Sequence, residues 1–175
     1  MVLRGVLILL LITALACGVL SADEYPLGAG DLLSITVFGE EDLSLKDVRV
    51  STNGSISFPL LGEITVQGMT PVKLENYLIS RLRDGYLKRP KLTISIVEYR
   101  PFYVHGEVKK PGGYPYTSSL TVEKAIVLAG GLTERASKGK ITILREDIKN
   151  KNSVTVRLDV AVKPGDIITV GESFF

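Results

Sequence analysis

Residues 55–71 read Ser-Ile-Ser-Phe-Pro-Leu-Leu-Gly-Glu-Ile-Thr-Val-Gln-Gly-Met-Thr-Pro and predict a hairpin followed by a helix. Polar and apolar residues alternate up to Phe58, as in a strand with one buried face, and Pro59 removes a backbone donor where that strand should stop. Gly62 offers the positive φ of a tight turn, after which the alternation resumes as a second short strand ending at Gly68. The Thr70-Pro71 pair then starts a helix, with an N-cap hydroxyl before a proline at the first helical position.

The flanking segments predict the rest of a small α+β domain. Strands are expected at residues 32–38, 48–50 and 92–96, because apolar residues alternate with polar ones in each. The Asn53-Gly54 dipeptide predicts a tight hairpin turn leading into the central stretch. A helix from residue 71 to about residue 83 puts three leucines on one stripe, which would cover the sheet: Leu74, Leu78 and Leu82.

Three segments occur in a characteristic order in this half of the chain: Tyr25-Pro-Leu-Gly-Ala-Gly-Asp31, the central hairpin and helix, and Pro90-Lys-Leu-Thr-Ile-Ser-Ile-Val97. In order and spacing they resemble the N-terminal domain of outer-membrane polysaccharide export proteins of the Wza type. Periodicity alone indicates only a small α+β domain. The family name therefore comes from the resemblance.

A second unit begins near Arg100-Pro101, where the pattern restarts. Strands are predicted from Phe102 through Val104 to Val108, at Tyr114 to Tyr116 after a turn at 110–113, and at residues 141–144, 154–158 and 167–170. Between them, Thr121 caps a helix that Gly130-Gly131 ends. This half resembles the soluble-ligand-binding β-grasp (SLBB) repeat of the same family through Val104-His-Gly-Glu-Val108, Pro111-Gly112, Tyr114, Thr121-Val122, Ala125-Ile126 and Ala129-Gly130-Gly131.

The resemblance implies two small β-rich domains of the α+β class. A signal peptide at 1–22 would precede an export domain at 23–100 and a β-grasp domain at 101–175, with no C-terminal transmembrane helix. The family motifs imply structural roles for Gly30, Asp31, Pro59, Leu60, Gly62, Gly106, Pro111, Gly112, Gly130 and Gly131.

Asp31 follows a glycine and precedes a strand, so its side chain can accept backbone hydrogen bonds and fix the turn. The same Gly-Asp pair recurs at Gly165-Asp166, again before a strand. Two such turns would bracket the folded region. The repeat is too short to indicate a duplicated domain.

Residues 1–22 have the layout of a secretory signal: Arg4, an apolar run from Val6 to Ala16, and small residues after it. The run is shorter than the roughly 20 apolar residues of a membrane-spanning helix. An uncleaved anchor is the alternative. Cys17 follows Ala16 and is a candidate lipid-attachment site, although Ala14 stands where lipoproteins prefer leucine. Ordinary cleavage after Ala16 or Ala22 is an equal alternative.

The chain has 21 Lys plus Arg and 19 Asp plus Glu, and removing Arg4 with the leader leaves a net charge of about +1. A nearly neutral chain excludes the basic class typical of nucleic-acid binding. One basic cluster stands at the end of the predicted helix and could contact an acidic glycan or lipid headgroups. Solvation of a helix C-terminus is the preferred interpretation of this cluster: Arg81, Arg83, Lys88, Arg89 and Lys91.

We identify no catalytic or metal-binding residue and expect no cofactor. The single histidine, His105, lies on an alternating strand without a nucleophile or second ligand in its pattern, so we interpret it as structural or interfacial. The acidic run 40–42 is a solvated loop, with nothing to place two carboxylates across a sugar. Gly28 and Gly30 precede a strand, whereas a dinucleotide-binding loop follows one.

By the resemblance, the protein is a non-enzymatic component of capsule or exopolysaccharide export. Copies would form a homo-oligomeric ring that conducts a polysaccharide from an inner-membrane polysaccharide copolymerase to the cell surface. The chain would be exported to the periplasm and associate with the outer membrane. The alternatives are a monomeric periplasmic glycan-binding or ligand-binding module, and a glycan-modifying enzyme, for which the sequence lacks an acid/base pair.

The sequence after the last predicted strand is Gly-Glu-Ser-Phe-Phe, at residues 171–175. Longer family members continue with further β-grasp repeats and a pore-forming helix, so this chain resembles the short branch of the family. That branch implies a separate outer-membrane β-barrel partner. Phe174 and Phe175 are candidates for docking this partner, or they cap the core.

Overall fold

The computed structural model describes residues 25–145 and 153–173, which form two β-rich domains with one α-helix each. This confirms the predicted α+β class. Among these residues, none of the helices combines the length and apolarity that crossing a bilayer requires.

The first domain combines a three-stranded antiparallel sheet, a hairpin and a helix. The sheet has the order β2-β1-β5, with β1 at Leu32–Val37, β2 at Leu45–Arg49 and β5 at Leu92–Glu98. The hairpin consists of β3 at Ser55–Phe58 and β4 at Gly62–Thr65, and the helix α1 spans Pro71–Arg83. A short 3-10 turn at Glu41–Leu43 follows β1.

The hairpin and helix of the central stretch are confirmed. Phe58 pairs with Gly62 across the turn, and the Thr70 hydroxyl accepts a hydrogen bond from the Lys73 N–H at 3.2 Å. The three leucines of α1 are fully buried against both the hairpin and the sheet. The second hairpin strand is shorter than predicted and ends at Thr65.

The prediction that the Asn53-Gly54 turn joins two paired strands of one hairpin is wrong. The turn forms, and the Gly54 N–H donates to the Ser51 carbonyl at 2.9 Å. However, β2 pairs with β1, and β3 pairs with β4, so the turn joins two different sheets. Through its pairing with β1, β2 places Leu45 and Val48 against the first hydrophobic core.

The second domain is a five-stranded sheet covered on one face by a helix. The strand order is β7-β6-β10-β8-β9, with β6 and β10 parallel and the other pairs antiparallel. The elements are β6 at Phe102–Gly106, β7 at Gly112–Tyr114, α2 at Val122–Leu128, β8 at Ala136–Leu144, β9 at Val154–Thr155 and β10 at Ile167–Glu172. The Thr121 hydroxyl caps α2 by accepting from the Lys124 N–H at 3.4 Å.

Several predicted bounds in this domain are wrong. β8 begins at residue 136 rather than 141, and β10 ends at residue 172 rather than 170. β6 stops at Gly106, where φ is +85° and the backbone touches the Val170 carbonyl, so Val108 forms only an isolated bridge. The returning strand lies at 112–114 rather than 114–116, because Gly113 leaves room for the Tyr103 ring and pairs in the ladder. The strand predicted at 154–158 is cut to two residues by a turn in which the Val160 N–H donates to the Arg157 carbonyl.

Each domain has its own hydrophobic core, and the two cores are separate. The first extends from Tyr25 to Ile96, and the second from Phe102 to Val170. Residues 97–101 lie between them and carry the contacts that join the two domains.

Candidate functional site at the domain junction

The turn before β1 is built around a buried aspartate. Asp31 is fully inaccessible, and its Oδ2 accepts the Gly28 N–H at 2.8 Å. The Tyr25 hydroxyl donates to the same carboxylate, 2.8 Å from each oxygen. A buried carboxylate is costly unless its oxygens are hydrogen-bonded and its charge is paired, so this position requires a cation nearby.

Arg100 supplies that cation from the segment between the domains. Its backbone N–H donates to Asp31 Oδ1 at 2.8 Å, and its Nη1 lies 3.3 Å from Asp31 Oδ2 and 2.8 Å from the Tyr25 hydroxyl. We call residues 97–101 the connector. The backbone and the side chain of Arg100 both hold the connector against the first domain.

The second Gly-Asp turn repeats this construction before β10. Asp166 is almost fully buried, and its Oδ2 accepts the Lys163 N–H at 2.8 Å. The same oxygen lies 3.4 Å from Nε of Arg145, whose Nη2 donates to the Ala161 carbonyl at 2.8 Å.

Strand pairing explains why each aspartate meets an arginine. The strand that follows Asp31 pairs antiparallel with β5, and the strand that follows Asp166 pairs antiparallel with β8. An antiparallel partner ends where its neighbour begins. Arg100 comes shortly after the end of β5, and Arg145 directly follows β8, so both reach the turn opposite.

The two turns meet at Arg100. A Cβ added at Gly28 would lie 2.1 Å from Arg100 Nη1, and one added at Gly165 would lie 2.6 Å from Arg100 Nε. A side chain at either glycine would displace the guanidinium from its position between the two turns. The turn of the second domain also contacts the connector through its backbone, since the Gly165 N–H donates to the Pro101 carbonyl.

A row of tyrosine rings runs beside the guanidinium. Tyr25 and Tyr99 pack edge to face at 5.0 Å, and Tyr99 and Tyr116 do so at 5.3 Å, so the row joins the first domain to the second. Burial and the hydrogen bond to Asp31 raise the pKa of Tyr25 well above its ordinary value of 10.0. Burial, followed by the neighbouring Tyr99 and the charge of Asp166, also raises the pKa of Tyr116.

A cleft of about 410 Å³ opens at this junction, within the ~300–1,000 Å³ range of small-molecule sites. Both domains and the connector line it. Its walls include Gly30, Arg100, Tyr103, Leu144, Arg145 and Ile167.

The residues that the family motifs single out fall into three places. Gly30 and Asp31 lie at the junction. Pro59, Leu60 and Gly62 form the β3–β4 turn, where Leu60 is 57% exposed and has a φ of +66°.

The third group lies in the second domain, beyond the strand end at Gly106. Pro111 and Gly112 lead from β6 into β7, and Gly130 and Gly131 end α2 through hydrogen bonds to the carbonyls of residues 127 and 126. The β6–β7 segment contacts this helix end, since the Lys110 N–H donates to the Ala129 carbonyl at 2.8 Å. The structure does not bring this group to the junction.

The candidate lipid site Cys17 and the candidate docking residues Phe174 and Phe175 lie outside the described residues. His105 is exposed, and its Nε2 lies 2.9 Å from the Thr169 hydroxyl. Within the described ranges, no group of three or more His, Cys, Asp or Glu side chains is placed to hold a metal ion.

Local sequence patterns do not single out Arg100, Arg145 or Tyr25 as site residues. A usable signal was present: each Gly-Asp turn opens a strand, and an arginine follows the strand that pairs with it. Recognising this signal requires knowing which strands pair, since Arg100 and Asp31 are 69 residues apart.

Residues 20–97 match the family described as polysaccharide biosynthesis/export protein, and residues 101–156 match the SLBB domain. The chain is similar to the exopolysaccharide production protein ExoF of Rhizobium meliloti (strain 1021), with 36% identity over 130 residues that cover 68% of this chain and 31% of ExoF. It is 29% identical over 176 residues to the EPS I polysaccharide export outer membrane protein EpsA of Ralstonia nicotianae (strain ATCC BAA-1114 / GMI1000), covering 86% of this chain and 46% of EpsA.

The polysialic acid transport protein KpsD of Escherichia coli is 26% identical over 125 residues, which cover 70% of this chain and 22% of KpsD. The chain thus spans less than half the length of each of these three relatives.

Proposed function

We propose that this chain, which belongs to the polysaccharide export proteins, is a component of capsule or exopolysaccharide export. Its polysaccharide biosynthesis/export domain precedes its SLBB domain. The observation that carries the proposal is the occurrence of both domains, in this order, over most of the described chain. The relatives, which are named for exopolysaccharide production, polysaccharide export and polysialic acid transport, support it.

The proposed role is conduction and binding of the glycan rather than its chemistry. The two buried carboxylates, Asp31 and Asp166, are each held by a backbone N–H and an arginine, which suits structural turns. A glycosidase needs two carboxyl groups placed across a sugar ring. We therefore assign the junction residues a structural and glycan-binding role rather than a catalytic one.

We further propose that copies assemble into a ring in the periplasm against the outer membrane. A heterologous interface whose rotation closes gives a ring rather than a fibre, and the fold offers strand edges for it at β2, β5, β7 and β9. A copolymerase in the inner membrane would deliver the glycan, and a separate outer-membrane barrel would release it. The fastened junction supports this arrangement, because stacked layers of a ring need a fixed angle between the domains.

The test is an in-frame deletion with measurement of surface and periplasmic polysaccharide. We expect surface polymer to disappear and to return on complementation with the intact chain, while secreted proteins stay unchanged. The Gly139→Ala variant is a matched complementation control, because an added Cβ there meets nothing within 4 Å. Unchanged amount and length of surface polymer in the deletion strain, with no second family member in its genome, would refute the export role.

A periplasmic ligand-binding module is the second candidate, and the junction cleft is the observation that favours it. Sedimentation and cross-linking of the exported protein separate the two. A closed oligomer supports the conduit, whereas a monomer that still binds sugar supports the module.

A further inference from the structure

We propose that the junction cleft binds one carboxylated sugar residue of the glycan, with the sugar ring over Tyr103 and the carboxylate against the arginines; this inference rests on the proposed export function. It adds to that function a binding site and a chemical class of ligand. Three features of the cleft carry it.

The first feature is an apolar floor on the open face of the second-domain sheet. Tyr103, Ile167 and Leu144 are direct neighbours across β6, β10 and β8, and all three line the cleft. Tyr103 is 48% exposed, and the glycine opposite it, Gly113, leaves its ring uncovered by a side chain. An exposed aromatic ring beside aliphatic groups offers a flat apolar surface of the kind that the C–H face of a pyranose can cover.

The second feature is the sign of the charges that line the cleft. Arg100 and Arg145 line it, and none of the lining residues within 25–145 and 153–173 is acidic. Their partners Asp31 and Asp166 lie behind them, buried, so the acids orient the guanidiniums without facing the opening. A guanidinium is suited to paired hydrogen bonds with a carboxylate, and one that is already oriented loses less entropy on binding.

Arg145 retains donors for a ligand. Within residues 25–145 and 153–173 its contacts use Nε, towards Asp166, and Nη2, towards the Ala161 carbonyl. Its side chain is 25% exposed, against 14% for Arg100. We therefore assign the principal carboxylate contact to Arg145 and a supporting electrostatic contribution to Arg100.

The third feature is a polar row that continues from the floor. One step along the sheet, Thr155, Thr142, Thr169 and His105 are successive cross-strand neighbours on β9, β8, β10 and β6. None of them is buried, and Thr169 and His105 are already in hydrogen-bond contact. Hydroxyl and imidazole groups in a line suit the hydroxyls of the sugars on either side of the acidic one.

The test is calorimetric titration of the purified chain with three acidic probes: tri-galacturonate, a hyaluronan tetrasaccharide and sialyllactose. Each probe is paired with its carboxyl-reduced, neutral form. We expect at least one acidic probe to bind, and its reduced form to bind about tenfold more weakly, the equivalent of about 1.4 kcal/mol for one charge-assisted contact.

Two variants locate the site. Tyr103→Ala removes an exposed ring and should abolish binding of the acidic probe, whereas Tyr103→Phe should keep it. Arg145→Gln should remove the preference for the acidic form, and Arg157→Gln, an exposed arginine elsewhere in the same domain, is the matched control. Because Arg145→Gln also removes a cation that contacts Asp166, thermal unfolding must show that this variant is folded, and Tyr103→Ala tests the site independently.

The outcomes separate this inference from the export role. Failure of all acidic probes to bind, equal binding of acidic and reduced forms, or unaltered binding by Tyr103→Ala would overturn the cleft assignment. If deletion of the chain still abolishes surface polymer in that case, the export role stands without the site. Selective binding together with an unaffected deletion strain would keep the site and overturn the export role.

Discussion

In the turn before β1 and the turn before β10, a buried aspartate accepts the N–H of the residue three positions earlier at 2.8 Å and faces an arginine. The two turns differ in where that arginine comes from. Arg145 belongs to the same domain as Asp166, whereas Arg100 lies in the connector and packs against glycines of both domains. The Asp166 turn therefore stabilises the second domain internally, whereas the Asp31 turn joins the two domains.

The largest expected effect comes from removing the charge of Asp31. The Asp31→Asn variant removes the buried charge that pairs with Arg100, and breaking a buried ion pair costs about 3–5 kcal/mol. Urea unfolding measures the loss. Amide hydrogen exchange should show weaker protection in both domains, because the connector is released.

The Asp166→Asn variant is the counterpart in the other turn. We expect its loss of hydrogen-exchange protection to stay within residues 102–172, since Arg145 and Asp166 both lie in the second domain. If each variant weakened hydrogen-exchange protection equally in both domains, the two turns would not differ in whether they join the domains.

A smaller effect is expected from the glycines that flank Arg100. Gly28→Ala pushes a Cβ against the guanidinium and should cost about 1–3 kcal/mol, as overpacking does. Gly165→Ala presses the same side chain from the other domain and adds strain at a φ of +84°. The double variant should cost less than the sum of the two, because one displaced arginine relieves both contacts.

Thermal and urea unfolding of the two single variants, the double variant and Gly139→Ala measure this coupling. The Gly139→Ala control should stay within about 0.5 kcal/mol of the parent. Strictly additive costs would mean that the two turns do not share Arg100.

The smallest effect is expected from the tyrosine hydroxyl that distinguishes the first turn. Tyr25→Phe removes the hydroxyl that donates to Asp31 and accepts from Arg100, while these two charges still pair with each other, and should cost about 0.5–1.5 kcal/mol. The raised pKa of Tyr25 means that its neutral form is stabilised by folding, so this contribution is fully present below pH 10.0 and is lost as the pH rises further, through the folded-state pKa.

Ultraviolet titration of tyrosine ionisation checks this assignment. The native chain should show two late-ionising tyrosines, Tyr25 and Tyr116, of which Tyr25 ionises last. Tyr25→Phe should remove the last phase, and Tyr86→Phe should retain both. A last phase that is unchanged in Tyr25→Phe would contradict the assignment.

The elements that the sequence predicted well depend on neighbours in the chain. The Thr70 and Thr121 caps and the leucine stripe of α1 follow from side chains within one or two turns of each other. The Asn53-Gly54 prediction failed because its local turn signal is correct while the strands on either side pair elsewhere.

The candidate site was only partly predictable for the same reason. Gly30 and Asp31 stand out locally, and Gly165-Asp166 repeats them. The cations that complete both turns come from distant strands, and the floor of the cleft combines β6, β8 and β10 in an order that alternation alone cannot give. Burial of a carboxylate demands a cation but does not say which one.

The strand order of the second sheet bears on how the chain matures as it emerges N-terminus first. β10 follows every other described strand in sequence, yet it lies in the sheet between β6 and β8. The first domain consists of contiguous residues and can condense early, whereas the second keeps a gap at its centre until residues 167–172 arrive. Until then the chain lacks Ile167 of the cleft floor and the Asp166 turn, so the proposed glycan site stays incomplete until the last strand has been added.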